Sequence, residues 1–115
     1  MFQKTVINLL LFISTLLLFA SVCQAHNVKV LAYVDNSKVY TETYFFNGKA
    51  VSNGLVHVFD SHKNKVLEGR TDENGVFAFN PPVLDDLTIV VREMTGHRNT
   101  CQIKRDQLVF KVSQR

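Results

Sequence analysis

The sequence predicts an all-β protein: a single antiparallel β-sandwich of seven or eight strands behind an N-terminal signal peptide. Apolar and polar residues alternate at period two along several short runs. Clusters of Asn, Asp, Ser and Gly separate these runs at near-regular spacing. No helical period of useful length follows the leader.

The leader is read as residues 1–25. Lys4 supplies its positive start, and an apolar run extends from Val6 to Ala20. Cys23-Gln24-Ala25 then places small residues at both positions that a leader peptidase reads. Cleavage after Ala25 makes His26 the first residue of the mature domain, 26–115. An uncleaved leader would instead act as a membrane anchor. Ala20-Ser21-Val22 lacks the small residue immediately before Cys23 that a lipidated cysteine calls for.

The strands follow in order. Val28, Val30, Ala32 and Val34 alternate with Lys29, Leu31 and Tyr33, and Asp35-Asn36-Ser37 turns the chain. Val39 to Phe46 is rich in Tyr, Thr and Phe, which suit a pleated surface. After Asn47-Gly48 and Asn53-Gly54 comes a strand centred on Val56 and Val58. His62-Lys63-Asn64-Lys65 is a polar turn, and Val66 to Thr71 returns. Asp72-Glu73-Asn74-Gly75 turns into Val76 to Phe79. Pro81-Pro82 cannot donate to a ladder and forms a connection. Leu87 to Arg92 is almost continuously apolar and is expected at the centre of a sheet. Strands at about Asn99 to Lys104 and Leu108 to Val112 complete the pattern.

About 90 residues make one domain with a modest core and no deep substrate cleft. The net charge is +3, with Lys and Arg interleaved among Asp and Glu. No basic run marks a nucleic-acid surface, and no small organic substrate is expected. There is no nucleophile elbow, phosphate loop or H-E-x-x-H, so the chain is read as a non-enzyme. With Cys23 removed in the leader, Cys101 is expected to stand alone, as a buried thiol, a metal ligand or an intermolecular partner.

Four side chains are candidate metal ligands. A terminal His26 offers its α-amine and its imidazole Nδ1 to one ion. His97 follows Gly96 in a loop, and delivery of both histidines to the same end of the sandwich would bring three nitrogens together. Such donors suit late first-row ions: Ni²⁺, Co²⁺, Cu²⁺ or Zn²⁺. Glu42, between Tyr40 and Tyr44, is a candidate ligand or an orienting partner for a histidine. His57 alternates with Val56 and Val58 and faces away from their side of the sheet. His62 lies among lysines, which disfavours a cation.

The segment Leu67-Glu68-Gly69-Arg70-Thr71-Asp72-Glu73-Asn74-Gly75-Val76-Phe77 resembles the G-x-T-D-x-x-G-x-F element of transthyretin-like, carboxypeptidase-regulatory sandwiches. The run from Ala25 to Val34, the strand Val39 to Phe46 and Met94-Thr95-Gly96-His97-Arg98 together resemble the extracytoplasmic accessory component of nickel and cobalt uptake transporters. That resemblance implies a periplasmic protein that captures Ni²⁺ or Co²⁺ with His26 and His97 and presents it to the membrane components of a transporter. A periplasmic copper carrier and a non-catalytic structural or protein-interaction module are the alternatives.

Overall fold

The computed structural model describes residues 20–24 and 27–108. Among these, eight strands form two antiparallel sheets of four. The strands are β1 (Ala20–Gln24), β2 (Val28–Asp35), β3 (Lys38–Phe45), β4 (Leu55–Phe59), β5 (Lys65–Arg70), β6 (Val76–Phe79), β7 (Leu87–Arg92) and β8 (Arg98–Ile103). One sheet runs β1-β2-β3-β6 and the other β5-β4-β7-β8. The expected seven strands from β2 to β8 all form, and β7 is central, between β4 and β8.

Alternation decides which side chains turn inward. Val30, Ala32 and Val34 from β2 meet Val56, Val58, Ile89, Val91, Cys101 and Ile103 from the opposite sheet in one core, and Val28 is buried at the start of β2. Burying aliphatic side chains of this kind contributes roughly 1.5–3 kcal/mol each. Thr41 and Thr43 also turn inward: the Thr41 hydroxyl donates to Phe77 O at 2.9 Å, whereas Thr43 Oγ1 is buried without a hydrogen-bond partner.

The hairpins use few turn designs. Between β2 and β3, Asn36 and Ser37 both have positive φ (53° and 66°), the two-residue turn that matches strand twist. Three other turns are copies of one another, at 60–64, 72–76 and 93–97. In each, the first N–H donates to the fifth carbonyl: Asp60 to Asn64 at 3.0 Å, Asp72 to Val76 at 2.9 Å, Glu93 to His97 at 2.9 Å. In each, the fourth residue has positive φ: Lys63 at 66°, Gly75 at 77°, Gly96 at 102°. In each, the opening carboxylate accepts the N–H of the third and fifth residues. This is a three-residue loop with a left-handed fourth position; it closes hairpins at 60–64 and 93–97, and at 72–76 it carries the chain from one sheet to the other. The Thr71-Asp72 element fits the same logic, since Thr71 Oγ1 also donates to Val51 O at 2.6 Å and accepts Gly54 N–H at 2.7 Å.

Two expectations are corrected. Cys101 is not alone: where residues 20–24 are present it is disulfide-bonded to Cys23, with the Cα atoms 5.5 Å apart. Cys23 belongs to the segment read as the end of the leader, and Ala20–Gln24 of that segment pairs with β2 as an edge strand, from Ala20 opposite Tyr33 to Gln24 opposite Lys29. The second correction concerns the expected last strand. Leu108 is buried at the end of a helical turn at 105–108, in which Gln107 Oε1 accepts the Lys104 N–H at 2.9 Å. Residues 109–112 of that expected strand lie outside the described residues, as do residues 1–19, Ala25 and His26. No helix among the described residues is long and apolar enough to cross a membrane.

Candidate metal-binding site

His97 closes the 93–97 turn, at the end of β7 and the start of β8. Its turn differs from the other two in one respect: the opening residue is Glu where they have Asp. The longer side chain reaches both the turn backbone and the imidazole. Glu93 Oε1 accepts the His97 N–H at 2.9 Å and lies 2.9 Å from His97 Nδ1. Glu93 Oε2 accepts the Thr95 N–H at 2.9 Å, and the Thr95 hydroxyl donates to Oε1. The same hydroxyl lies 3.0 Å from His97 Nδ1.

The Glu93 side chain is 2% exposed and the His97 side chain 52%. A carboxylate hidden this far is tolerated because hydrogen-bond donors surround it. Donation by the Thr95 hydroxyl foremost, and then by the Thr95 and His97 N–H groups, lowers its pKa from 4.5 to about 2. Such a carboxylate beside Nδ1 favours the tautomer with the proton on Nδ1. The Nε2 lone pair is then free for a metal ion, the carboxylate–histidine arrangement typical of metal sites.

An open pocket of ≈ 390 Å³ adjoins this turn, lined by Asn27, Phe45, Phe46, Asn47, Glu93, Thr95 and His97. Asn27 is the residue after His26, and its carbonyl accepts the Phe46 N–H at 3.1 Å. Asn99 fastens the start of β2 from the other sheet, donating from Nδ2 to Val28 O at 3.1 Å. The chain therefore begins β2 at the pocket that His97 lines. His26 itself lies outside the described residues.

Glu42 and His57 do not line this pocket. Glu42 sits on the outer face of the β1-β2-β3-β6 sheet, where Tyr44 Oη donates to Oε1 at 2.6 Å and Tyr33 Oη to Oε2 at 3.1 Å. The bond to Glu42 is the main cause of a raised Tyr44 pKa, whereas burial leads for Tyr33. His57 sits on the outer face of the other sheet, its Nε2 2.9 Å from Glu68 Oε1. Glu42 and His57 thus stand on opposite outsides of the sandwich, separated by the core.

At the far end of β7 a further group forms: ligand atoms of Asp60, His62 and Asp85 lie within 4.8 Å of one another. Its carboxylates carry structural hydrogen bonds. Asp60 accepts from the N–H groups of His62 and Asn64, both at 2.9 Å, and Asp85 accepts from Ser61 N at 3.0 Å, Ser61 Oγ at 2.7 Å and Asp86 N at 2.8 Å. These bonds lower both carboxyl pKa values and hold two loops together.

Glu93 is the residue that sequence reasoning missed. Its signal was the parallel between Asp60, Asp72 and Glu93, each three residues before a left-handed position. Comparison with protein-family models, with curated proteins and with solved structures gives no match for this chain.

Proposed function

We propose that the exported, processed protein is a periplasmic metal-binding accessory protein of the transthyretin-like sandwich class, capturing Ni²⁺ or Co²⁺ and presenting it to the membrane components of a transporter. The ion is cargo, and the function is binding, release and docking, without bond chemistry. The observation that carries this reading is the buried Glu93 carboxylate held 2.9 Å from His97 Nδ1, which leaves Nε2 for a ligand role. The position of Asn27 on the same pocket supports His26 as the second residue, contributing its α-amine and imidazole after cleavage at Ala25. One imidazole from a loop and an amine–imidazole chelate from the terminus form a nitrogen-rich set suited to late first-row ions. Glu42 and His57 have protein partners of their own and no part in it.

Phe46 and Met94 are 90% and 76% exposed, and both flank the pocket in sequence or space. Two large apolar side chains in water beside the site favour contact with another protein there, which fits delivery to a transporter. Calorimetric titration of the chain beginning at His26 with Ni²⁺, Co²⁺ and Cu²⁺ tests the reading. Wild type binds one ion, and His97→Ala weakens binding at least tenfold, about 1.4 kcal/mol. Absence of binding to all three ions leaves the protein-interaction module as the reading. Since copper exceeds nickel at most nitrogen sites, preference for Cu²⁺ in a test tube is expected; bound copper recovered from the native compartment would favour the copper carrier.

A further inference from the structure

β1 occupies a particular place. It lies beyond β2 at the edge of one sheet and also packs on β8 of the other, so it fills the seam where the two sheets meet. Cys23 packs against the core and bonds to Cys101, while the neighbouring Val22 is 49% exposed. Across the seam, Asn99 Nδ2 donates to Cys23 O at 2.6 Å. The seat thus reads a strand three ways: through the β2 edge, through an amide that donates to its carbonyl, and through the sulfur of Cys101.

Cleavage after Ala25 during export, before Cys23 and Cys101 are oxidised to a disulfide, leaves the seat without this strand. The β2 edge then keeps unpaired N–H and C=O groups, the Asn99 amide lacks one acceptor, and the Cys101 thiol has no intramolecular partner. A bare edge of this kind is a template for strand addition. We infer that the seam between β2 and β8 is a docking groove for one extended strand of a partner protein. That strand runs antiparallel to β2 and turns a cysteine or small apolar residue toward Cys101.

The inference rests on the processing step under Proposed function and adds the partner's mode of attachment. A single strand is the fitting occupant because β8 flanks the seat. The edge of a second copy would bring its own sheet behind it and meet β8, whereas β1 enters as one strand and contacts both walls.

The test uses the exported protein recovered from its own compartment, reduced, with its mass measured. The probe is the peptide Ala20–Ala25 carrying glutathione on its cysteine. The Cys101 thiolate attacks the peptide sulfur, a peptide–Cys101 disulfide forms, and glutathione leaves as the thiol. Expected is modification about tenfold or more faster than with a scrambled peptide of the same composition. The seam-facing amides of β2 exchange faster than those facing β3, and slow once the peptide is attached. If β7 amides also exchange fast without peptide, their recovery with it supports the groove, and no recovery overturns it. Equal rates for the scrambled peptide, seam amides protected without any peptide, or protection that grows with protein concentration each overturn the inference. A mass that includes residues 20–25 overturns it too, and reports failure of the processing step separately from any metal titration.

Discussion

The Glu93 carboxylate and the His97 imidazole face each other across one hairpin turn, Oε1 to Nδ1 at 2.9 Å, one side chain hidden and the other half in water. The turn places them so because its geometry already directs the opening carboxylate at the N–H of the fifth residue, as Asp60 and Asp72 show. One additional methylene lets the same carboxylate hold the ring as well.

Glu93→Gln should therefore change three things. A carboxamide turns an NH₂ toward donors that now find an acceptor, so stability falls by roughly 1–3 kcal/mol. The acid limb changes too. A carboxyl lowered from 4.5 to about 2 adds stability that is fully present above 4.5 and is lost as pH falls through about 2. Gln does not titrate, so urea midpoints measured across that window should fall less steeply than in wild type. Nitrogen chemical shifts of the metal-free protein should show the His97 proton on Nδ1 in wild type and a mixed tautomer in the variant. An unchanged tautomer would remove Glu93 from the site.

His26→Ala and His97→Ala should each weaken Ni²⁺ binding strongly, and the double variant should be little worse than the worse single one, because groups sharing an ion are not additive. His62→Ala should bind as wild type. Adding one or two small residues before His26 turns its amine into an amide and should lower affinity about tenfold or more, 1.4 kcal/mol, without altering apo stability. Affinity should rise from mildly acidic to mildly basic buffer, since the nitrogens must shed protons to bind. Calorimetry reads all of these.

The three related turns predict opposite responses at their fourth position. Lys63 adopts φ 66° with a side chain that resists it, so Lys63→Gly should stabilise by about 1 kcal/mol. Gly75 has φ 77°, and a Cβ there would run into Thr43 O, so Gly75→Ala should destabilise by roughly 2 kcal/mol or more. Thermal midpoints separate the two signs.

Thr43→Val exchanges a buried, unpartnered hydroxyl for a methyl of similar shape. Stability should hold or rise, by about 1 kcal/mol at most. Denaturant unfolding checks this, and a marked loss would mean that the hydroxyl has a partner.

Strands β2 to β8 were legible because each rests on local chemistry. Val28 to Val34 alternate whatever they pack against, and Asp72 to Gly75 close their turn with their own backbone. β1 was not legible, because Ala20 to Gln24 reads equally as the end of an apolar leader and as an edge strand. Only the partners distinguish the two: β2 along one side, and the distant Cys101 across the seam.

By itself, then, the sequence determined the all-β class, the turn positions and the inward or outward face of nearly every strand residue, since period and turn chemistry act over a few residues. The tertiary structure alone decided what lies together. That Glu42 and His57 face outward was legible, but only the assignment of β3 and β4 to different sheets puts them on opposite outsides of the sandwich, and only packing around the 93–97 turn hides the carboxylate that its local geometry holds against His97. Burial is the reason. Whether a carboxylate is solvated or locked beside an imidazole depends on which strands and loops exclude water around it, and that is set by contacts between segments far apart in the chain.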